Sequence, residues 1–152
     1  MIRQFRPGDA RACFDLIRDC ILQDVHTPTG TLEKLLHAES PESISGRARL
    51  YYLVVYELED DIAGVAGLDM NEIRLLFVAP DHQGEGIGRA LLEHLESLVP
   101  STMFKEIFVY STLSGETFYR HYGYQCKGEH VFYVDDQPLP TRFMVKTLGE
   151  NR

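Results

Sequence analysis

The stretch from residue 72 to residue 100 constrains this chain most. A mostly apolar run of strand length, Glu72-Ile-Arg-Leu-Leu-Phe-Val78, ends at Ala79-Pro80 and gives way to three glycines, Gly84, Gly86 and Gly88. From Ile87 onward the apolar residues Ile87, Ala90, Leu91, Leu95 and Leu98 recur at helical spacing until Pro100. The pattern predicts a strand buried on both faces, a glycine-rich turn and an amphipathic helix, in that order. Glycine tolerates unusual φ and close backbone approach, so N–H groups at the helix start can converge on an anion with the helix dipole behind them. A pyrophosphate is the natural guest, and Arg89, just inside the helix, can add a cation. No Gly-Lys-Ser/Thr follows, so the turn is not a P-loop, and a hairpin precedes it where a Rossmann site would need parallel units.

The flanking residues read as alternating short elements. Residues 2–6 alternate as a strand before Pro7-Gly8, and Asp9 is placed to cap a helix carrying the stripe Cys13, Phe14, Leu16, Ile17, Cys20 and Ile21. Residues 31–38 suit a second short helix, and residues 40–47, with Pro41 and Gly46, read as a loop at the rim of a substrate site. Residues 51–56 and 62–68 flank the acidic turn Glu59-Asp60-Asp61 and predict a hairpin; residues 106–112 predict another strand. Ser114 is placed to cap a short helix ending at Gly123. Two last strands follow, residues 124–126 continuing around Val131-Phe132-Tyr133, then residues 142–148, with a loop over residues 135–140. Nothing resembles a linker or repeat, so residues 1–152 read as one domain.

Composition narrows the partners. Fifteen Lys and Arg against 23 Asp and Glu leave a net charge of -8, which opposes nucleic-acid binding, since phosphate neutralisation needs clustered cations. The same balance attracts a cationic substrate such as an amine, although it also serves solubility. No stretch approaches the ~20 apolar residues that span a bilayer, and the first residues lack a signal-peptide core, so no membrane and a cytoplasmic location are expected. Cys13, Cys20 and Cys126 show no metal or disulfide spacing, and the six histidines no paired ligand spacing, so no metal is expected. His82 and His121 read as loop and helix-end residues.

Gln83-x-x-Gly86-x-Gly88 behind a strand ending in Phe77-Val78 resembles the acetyl-coenzyme A signature of the GNAT acetyltransferase superfamily. The later run Phe118-Tyr119-Arg120-His121-Tyr122-Gly123-Tyr124 resembles the superfamily's second recurrent element. The resemblance implies an α/β (α+β) fold with about four helices and a mixed, mostly antiparallel central sheet, splayed between its fourth and fifth strands to admit pantetheine. It implies acetyl-coenzyme A as co-substrate and an amine acceptor attacking directly. By position, Phe77 and Val78 would offer main-chain hydrogen bonds to pantetheine, and Gln83, Gly84, Gly86, Ile87, Gly88 and Arg89 would surround the pyrophosphate. Where many relatives carry an asparagine that contacts the cofactor from the fifth strand, this chain has Thr112, a donor of shorter reach.

An alkylammonium near pKa ~10.4 must lose its proton before it attacks, and a carboxylate can remove it. Glu72, at the start of the fourth strand and eleven residues before Gln83, matches the glutamate that serves as base in some relatives; a water relay and Asp69 are the alternatives. The departing thiolate needs a proton, and Tyr119 matches the tyrosine that supplies it. None of the cysteines sits beside a recognisable base, which disfavours an acyl-enzyme. An acyl-coenzyme A sensor without turnover is the alternative from another class, and donor chain length and acceptor identity stay open. An edge strand near the C-terminus can pair across a two-fold axis, so a homodimer is a possible partner arrangement.

Overall fold

A computed structural model describes residues 1–149; residues 150–152 of the expected domain lie outside them. The chain runs β1 (Ile2–Gln4), α1 (Ala10–Gln23), α2 (Thr29–Ala38), α3 (Pro41–Arg47), β2 (Tyr52–Leu58), β3 (Asp61–Asp69), β4 (Glu72–Val78), α4 (Ile87–Leu98), β5 (Glu106–Thr112), α5 (Glu116–His121), β6 (Gln125–Val134) and β7 (Gln137–Thr147). Seven strands form one sheet in the order β1-β2-β3-β4-β5-β7-β6. Its neighbours pair antiparallel except β4 and β5, which run parallel. This is the mixed, mostly antiparallel sheet that the resemblance implies, with five α-helices among the described residues where about four were expected.

The sheet opens in its middle. β4 and β5 pair only at Glu72 with Phe108 and Ile73 with Val109, and the ladder stops there. The cause lies on the other side of β4, where Gly67 faces Leu75 but Leu68 faces Ile73, leaving Arg74 as the extra residue of a β-bulge. A bulge bends its strand and increases the local twist. β4 therefore stays paired with β3 up to Val78 while its other edge swings away from β5. For the same reason the expectation of a strand buried on both faces is corrected: of β4 only Ile73 is fully buried, because the second half borders the opening.

Each face of the sheet carries its own core. On one, α4 seats Ile87, Leu91, Leu92 and Leu95 against Ala66, Ile107 and Met144. The approach is close because Gly64 of β3 has no side chain; a Cβ there would lie 2.8 Å from Leu91 Cδ1. On the other face Cys13, Leu16, Ile17 and Ile21 of α1 and Ile44 of α3 cover Leu53, Val55 and Val65.

Local expectations are corrected at four places. Residues 40–47 are not a loop. Ser40 caps α3 reciprocally with Ser43, and Pro41 occupies the first turn, where its fixed φ and missing N–H favour a helix. Residues 137–140 belong to β7: Pro138 and Pro140 pair with β6 only, since β5 begins to pair at Thr141, and prolines are tolerated along such an unpaired edge. Asp9 does stand at the N-cap of α1, but its carboxylate turns back to accept the Arg6 N–H at 2.8 Å and two bonds from the Arg3 guanidinium. Ser114 does not cap α5, whose N-cap is Gly115; its hydroxyl donates to Asp24 Oδ1 at 2.8 Å.

Candidate active site

The glycine turn is built for an anion at its open side. Gly84 and Gly86 hold φ of +82° and +88°, and a Cβ at either would meet nothing within 4 Å. Their absent side chains thus serve backbone conformation, not packing. Gly86 is the N-cap of α4 and offers no side-chain hydrogen bond, so the first-turn N–H groups of Ile87, Gly88 and Arg89 have neither an intrahelical acceptor nor a capping one. Gly88 serves packing instead, since a Cβ there would lie 3.0 Å from the Phe118 ring, and its smallness lets α5 approach the start of α4. Gln83 anchors the turn through its side-chain amide, which donates to the Val78 carbonyl and to Gln23 Oε1, both at 3.1 Å. Arg89 pairs with Glu93 at 2.9 Å along the exposed face of α4.

Next along the chain lies the open edge of β4. Ala79 donates its N–H to the Ala63 carbonyl at 2.9 Å. By the two-residue alternation of an antiparallel ladder, Phe77 also directs its main-chain groups at β3, while Leu76 and Val78 direct theirs at the opening. The Val78 carbonyl there already accepts from Gln83 Nε2 and Cys20 Sγ, each at 3.1 Å. Phe77, expected to offer main-chain groups to the cofactor, lines the cavity but directs those groups at β3, so the open edge presents Leu76 beside Val78. The shift of one residue follows from the register of the pairing.

A cavity of about 660 Å³ follows β4 from this edge. Its lining includes Val78, Gln83 and Ser114, the polar side chains of Arg74, Tyr51 and Glu39, and the aliphatic Leu75, Leu76, Leu32 and Leu35. A second cavity of about 620 Å³ contains Glu72, Tyr110, His130 and Thr141. Arg74, Thr112 and Leu139 line both, so the two meet where the sheet splits. Thr112, standing in the position of the superfamily's asparagine, is therefore at the junction.

Glu72 lies at the mouth of the split. Burial pushes its carboxyl above the usual glutamate range, and the neighbouring Asp69 adds to this against the pull of Arg74. Arg74 sits 3.7 Å from Glu72, 3.5 Å from Asp69, and over the Tyr51 ring. Asp69, the alternative base, thus shares the same arginine. Tyr119 is buried among Phe118 and Tyr124. Burial raises the pKa of its hydroxyl, which stays protonated at neutral pH. Gly115 forms the cavity wall in front of it: a Cβ on Gly115 would lie 3.7 Å from the edge of the Tyr119 ring.

Leu76, Ser114, Asp24 and Glu39 are among the cavity residues that escape sequence reading. Asp24 follows the C-terminus of α1. Burial raises its carboxyl, but hydrogen bonds from the His26 N–H, Ser114 and Thr27 outweigh that and hold it below the usual range. It fastens the α1–α2 connection to Ser114 across the cavity. Among the described residues no group of His, Cys, Asp and Glu is arranged to hold a metal ion. Burial raises the Cys20 thiol to about 11, and the thiol donates to the Val78 carbonyl, so Cys20 is no ready nucleophile.

Comparison with known proteins agrees with this geometry. The sequence model of the acetyltransferase (GNAT) domain matches residues 22–136. A GCN5-related N-acetyltransferase of Rhodopseudomonas palustris superposes with a TM-score of 0.91 at 22% identity, covering 97% of this chain and 95% of that one. A phosphinothricin acetyltransferase of Sinorhizobium meliloti in complex with AcCoA gives 0.74 at 22% identity, over 99% and 89%. A ribosomal-protein-alanine N-acetyltransferase of Brucella melitensis gives 0.72 at 20%, over 97% and 99%. No curated protein sequence matches the chain.

Proposed function

We propose, from the premise that this chain belongs to the GNAT acetyltransferase family, that it moves an acetyl group from acetyl-coenzyme A to a primary amine by direct attack. The observation that carries this reading is the split between β4 and β5, with a cavity along β4 that Gln83 of the glycine turn helps to line. Ile87, Gly88 and Arg89 bind the pyrophosphate through main-chain N–H groups, Gly84 and Gly86 shape the turn, and Gln83 braces it. Leu76 and Val78 hold the pantetheine arm as a missing strand would, and Thr112 closes the far side.

Chemistry then takes place where the two cavities meet. Glu72 removes a proton from the incoming ammonium, directly or through water, and the amine nitrogen attacks the thioester carbonyl carbon. The C–N bond forms, the C–S bond breaks, the thiolate takes a proton from Tyr119, and the proton that the acylated nitrogen gives up returns to Tyr119 through water. A phenol whose pKa is raised by burial is a neutral donor throughout, as this step requires.

Tyr119→Phe and Glu72→Gln are each expected to lower kcat about 100-fold, the usual share of a positioned acid or base, with the Kd for acetyl-coenzyme A little changed. The pH profile separates their roles. Glu72 acts only when deprotonated, so activity rises with pH through its raised pKa, and the acidic limb of kcat/KM stands above the ordinary glutamate value of ~4.3. That limb is absent in Glu72→Gln. Full activity of either variant at neutral pH would remove that residue from the mechanism.

A further inference from the structure

The sheet ends at β6, which among the described residues pairs with β7 on one side and with no strand on the other. Val131 and Tyr133 stand opposite Pro140 and Pro138, which have no N–H to exchange. By the alternation of an antiparallel ladder, Glu129, Val131 and Tyr133 therefore turn their main-chain N–H and C=O groups away from β7, toward the open edge. The two-residue turn Asp135-Asp136 agrees, since it makes Val134 and Gln137 the hydrogen-bonded pair and sets the same alternation. Along this edge three large apolar residues follow one another exposed, Val131 at 44%, Phe132 at 39% and Tyr133 at 69%. Such an edge is a template for another strand, and residues 129–134 carry no proline and only the charge of Glu129 to repel one.

The charges indicate which strand fits. When a copy of β6 is laid antiparallel on this edge across a two-fold axis, the position of the axis decides what faces Glu129. An axis at Glu129 opposes it to itself, and an axis at Phe132 sets it against Asp135 of the second copy, a clash that symmetry repeats. An axis at His130 leaves it opposite Val131. An axis at Val131 avoids both clashes: Glu129 faces Tyr133, His130 faces Phe132, and Val131 faces itself. The same register brings Lys127, at the bulge that ends the regular ladder, level with Asp135 of the second copy, so opposite charges meet twice. Within one chain the His130 and Phe132 rings lie 4.3 Å apart and both pack on Tyr110, so the ring cluster continues across the axis.

We propose that two copies of this chain pair through β6, antiparallel about a two-fold axis at Val131, to form one fourteen-stranded sheet with seven strands from each copy. The outward main-chain groups of Glu129, Val131 and Tyr133 are satisfied by those of the second copy, and the exposed apolar run leaves water. Because His130 and Phe132 line the second cavity, the second copy extends its wall on that side. The pairing stands independently of the acetyl-transfer reading.

The test measures mass in solution by light scattering across a dilution series of wild type and Val131→Lys, with a thermal melt of each. It also follows disulfide formation in Val131→Cys and Tyr133→Cys, both in a Cys126→Ser background. Wild type is expected at twice the chain mass, falling to one chain on dilution. Val131→Lys sets two like charges face to face at the axis and is expected at the mass of one chain throughout, with a melt that shows a folded protein. In a directly opposed hydrogen-bonded pair the Cα atoms lie about 5.5 Å apart, within disulfide reach, so Val131→Cys is expected to cross-link under mild oxidation. Tyr133→Cys faces Glu129 of the second copy and is expected to stay uncrosslinked. Wild type at the mass of one chain at every concentration overturns the proposal and leaves the edge to a different extended segment. A dimer that survives in Val131→Lys, no cross-link in Val131→Cys, or cross-linking of Tyr133→Cys at the same rate overturns it by placing the contact or its register elsewhere.

Discussion

Replacing Gly86 with valine is expected to weaken acetyl-coenzyme A binding about 100-fold, as read by calorimetric titration. Gly86 holds φ at +88° at the N-cap of α4. An ordinary L-residue loses roughly 1–2 kcal/mol in the left-handed region, and a β-branched one more. The chain relieves that strain by rotating the peptides around residue 86, and these are the ones that aim the first-turn N–H groups at the anion. A Cβ would meet open space, so steric exclusion by neighbouring residues is no part of the effect. Gly86→Asn is the control, because asparagine visits left-handed conformations at little cost, and it should retain most of the affinity. Equal affinity in wild type and Gly86→Val would show that the turn geometry does not govern binding.

The second large effect concerns the platform behind the site. Leu91→Ala is expected to destabilise the protein by about 2–5 kcal/mol, a fall in melting temperature of roughly 10 °C. Leu91 is fully buried and sits directly over Gly64, the position in β3 where α4 comes closest to the sheet. Truncation leaves a void that the rigid strand beneath cannot fill by moving up. The N-terminus of α4 carries the anion site, so the variant should bind acetyl-coenzyme A less tightly well below its melting point. A change of less than 1 kcal/mol would mean that the helix resettles on the sheet and that its placement is not fixed by this contact.

These two residues illustrate what sequence makes legible. β4 and β5 stand at the bounds that apolar runs predict, and α4 runs from Ile87 to Leu98 as its helical period and Pro100 require. Such strong local patterns coincide with the split sheet and its glycine turn, so the fold and the place of the turn can be read together. Failures come where one residue type has two meanings. Pro41 reads as a breaker but stands in the first turn of α3, and Pro138 and Pro140 read as loop but occupy a stretch of β7 with a partner on one side only. Neither reading can be chosen without the tertiary neighbours. Which main-chain groups of Leu76, Phe77 and Val78 face the open edge is likewise hidden in sequence, because the pairing register that decides it is a property of β3 and β4 together. Glu39 carries no signal at all in sequence. Its placement arises from burial and from a partner, Arg47, eight residues away across the α2–α3 junction.

The geometry also separates two roles among the polar residues. Asp24 and Gln83 bind other parts of the protein, fixing α1 and its following turn against the cavity wall. Glu72 stands at the split, where it shares Arg74 with Asp69. Loss of the proposed base should therefore appear in kcat and its pH dependence, whereas loss of a bracing contact should appear in stability and cofactor affinity.

Direct transfer is tested by a coupled determination of free thiol and acylated product when the purified protein is mixed with acetyl-coenzyme A and a panel of amines. Thiol is expected only when an amine is present, and mass spectrometry is expected to find one N-acetylated amine for each thiol released. Thiol release without amide, or acetyl-coenzyme A bound with no amine ever acetylated, would contradict direct transfer and leave a hydrolase or an acyl-coenzyme A sensor in its place.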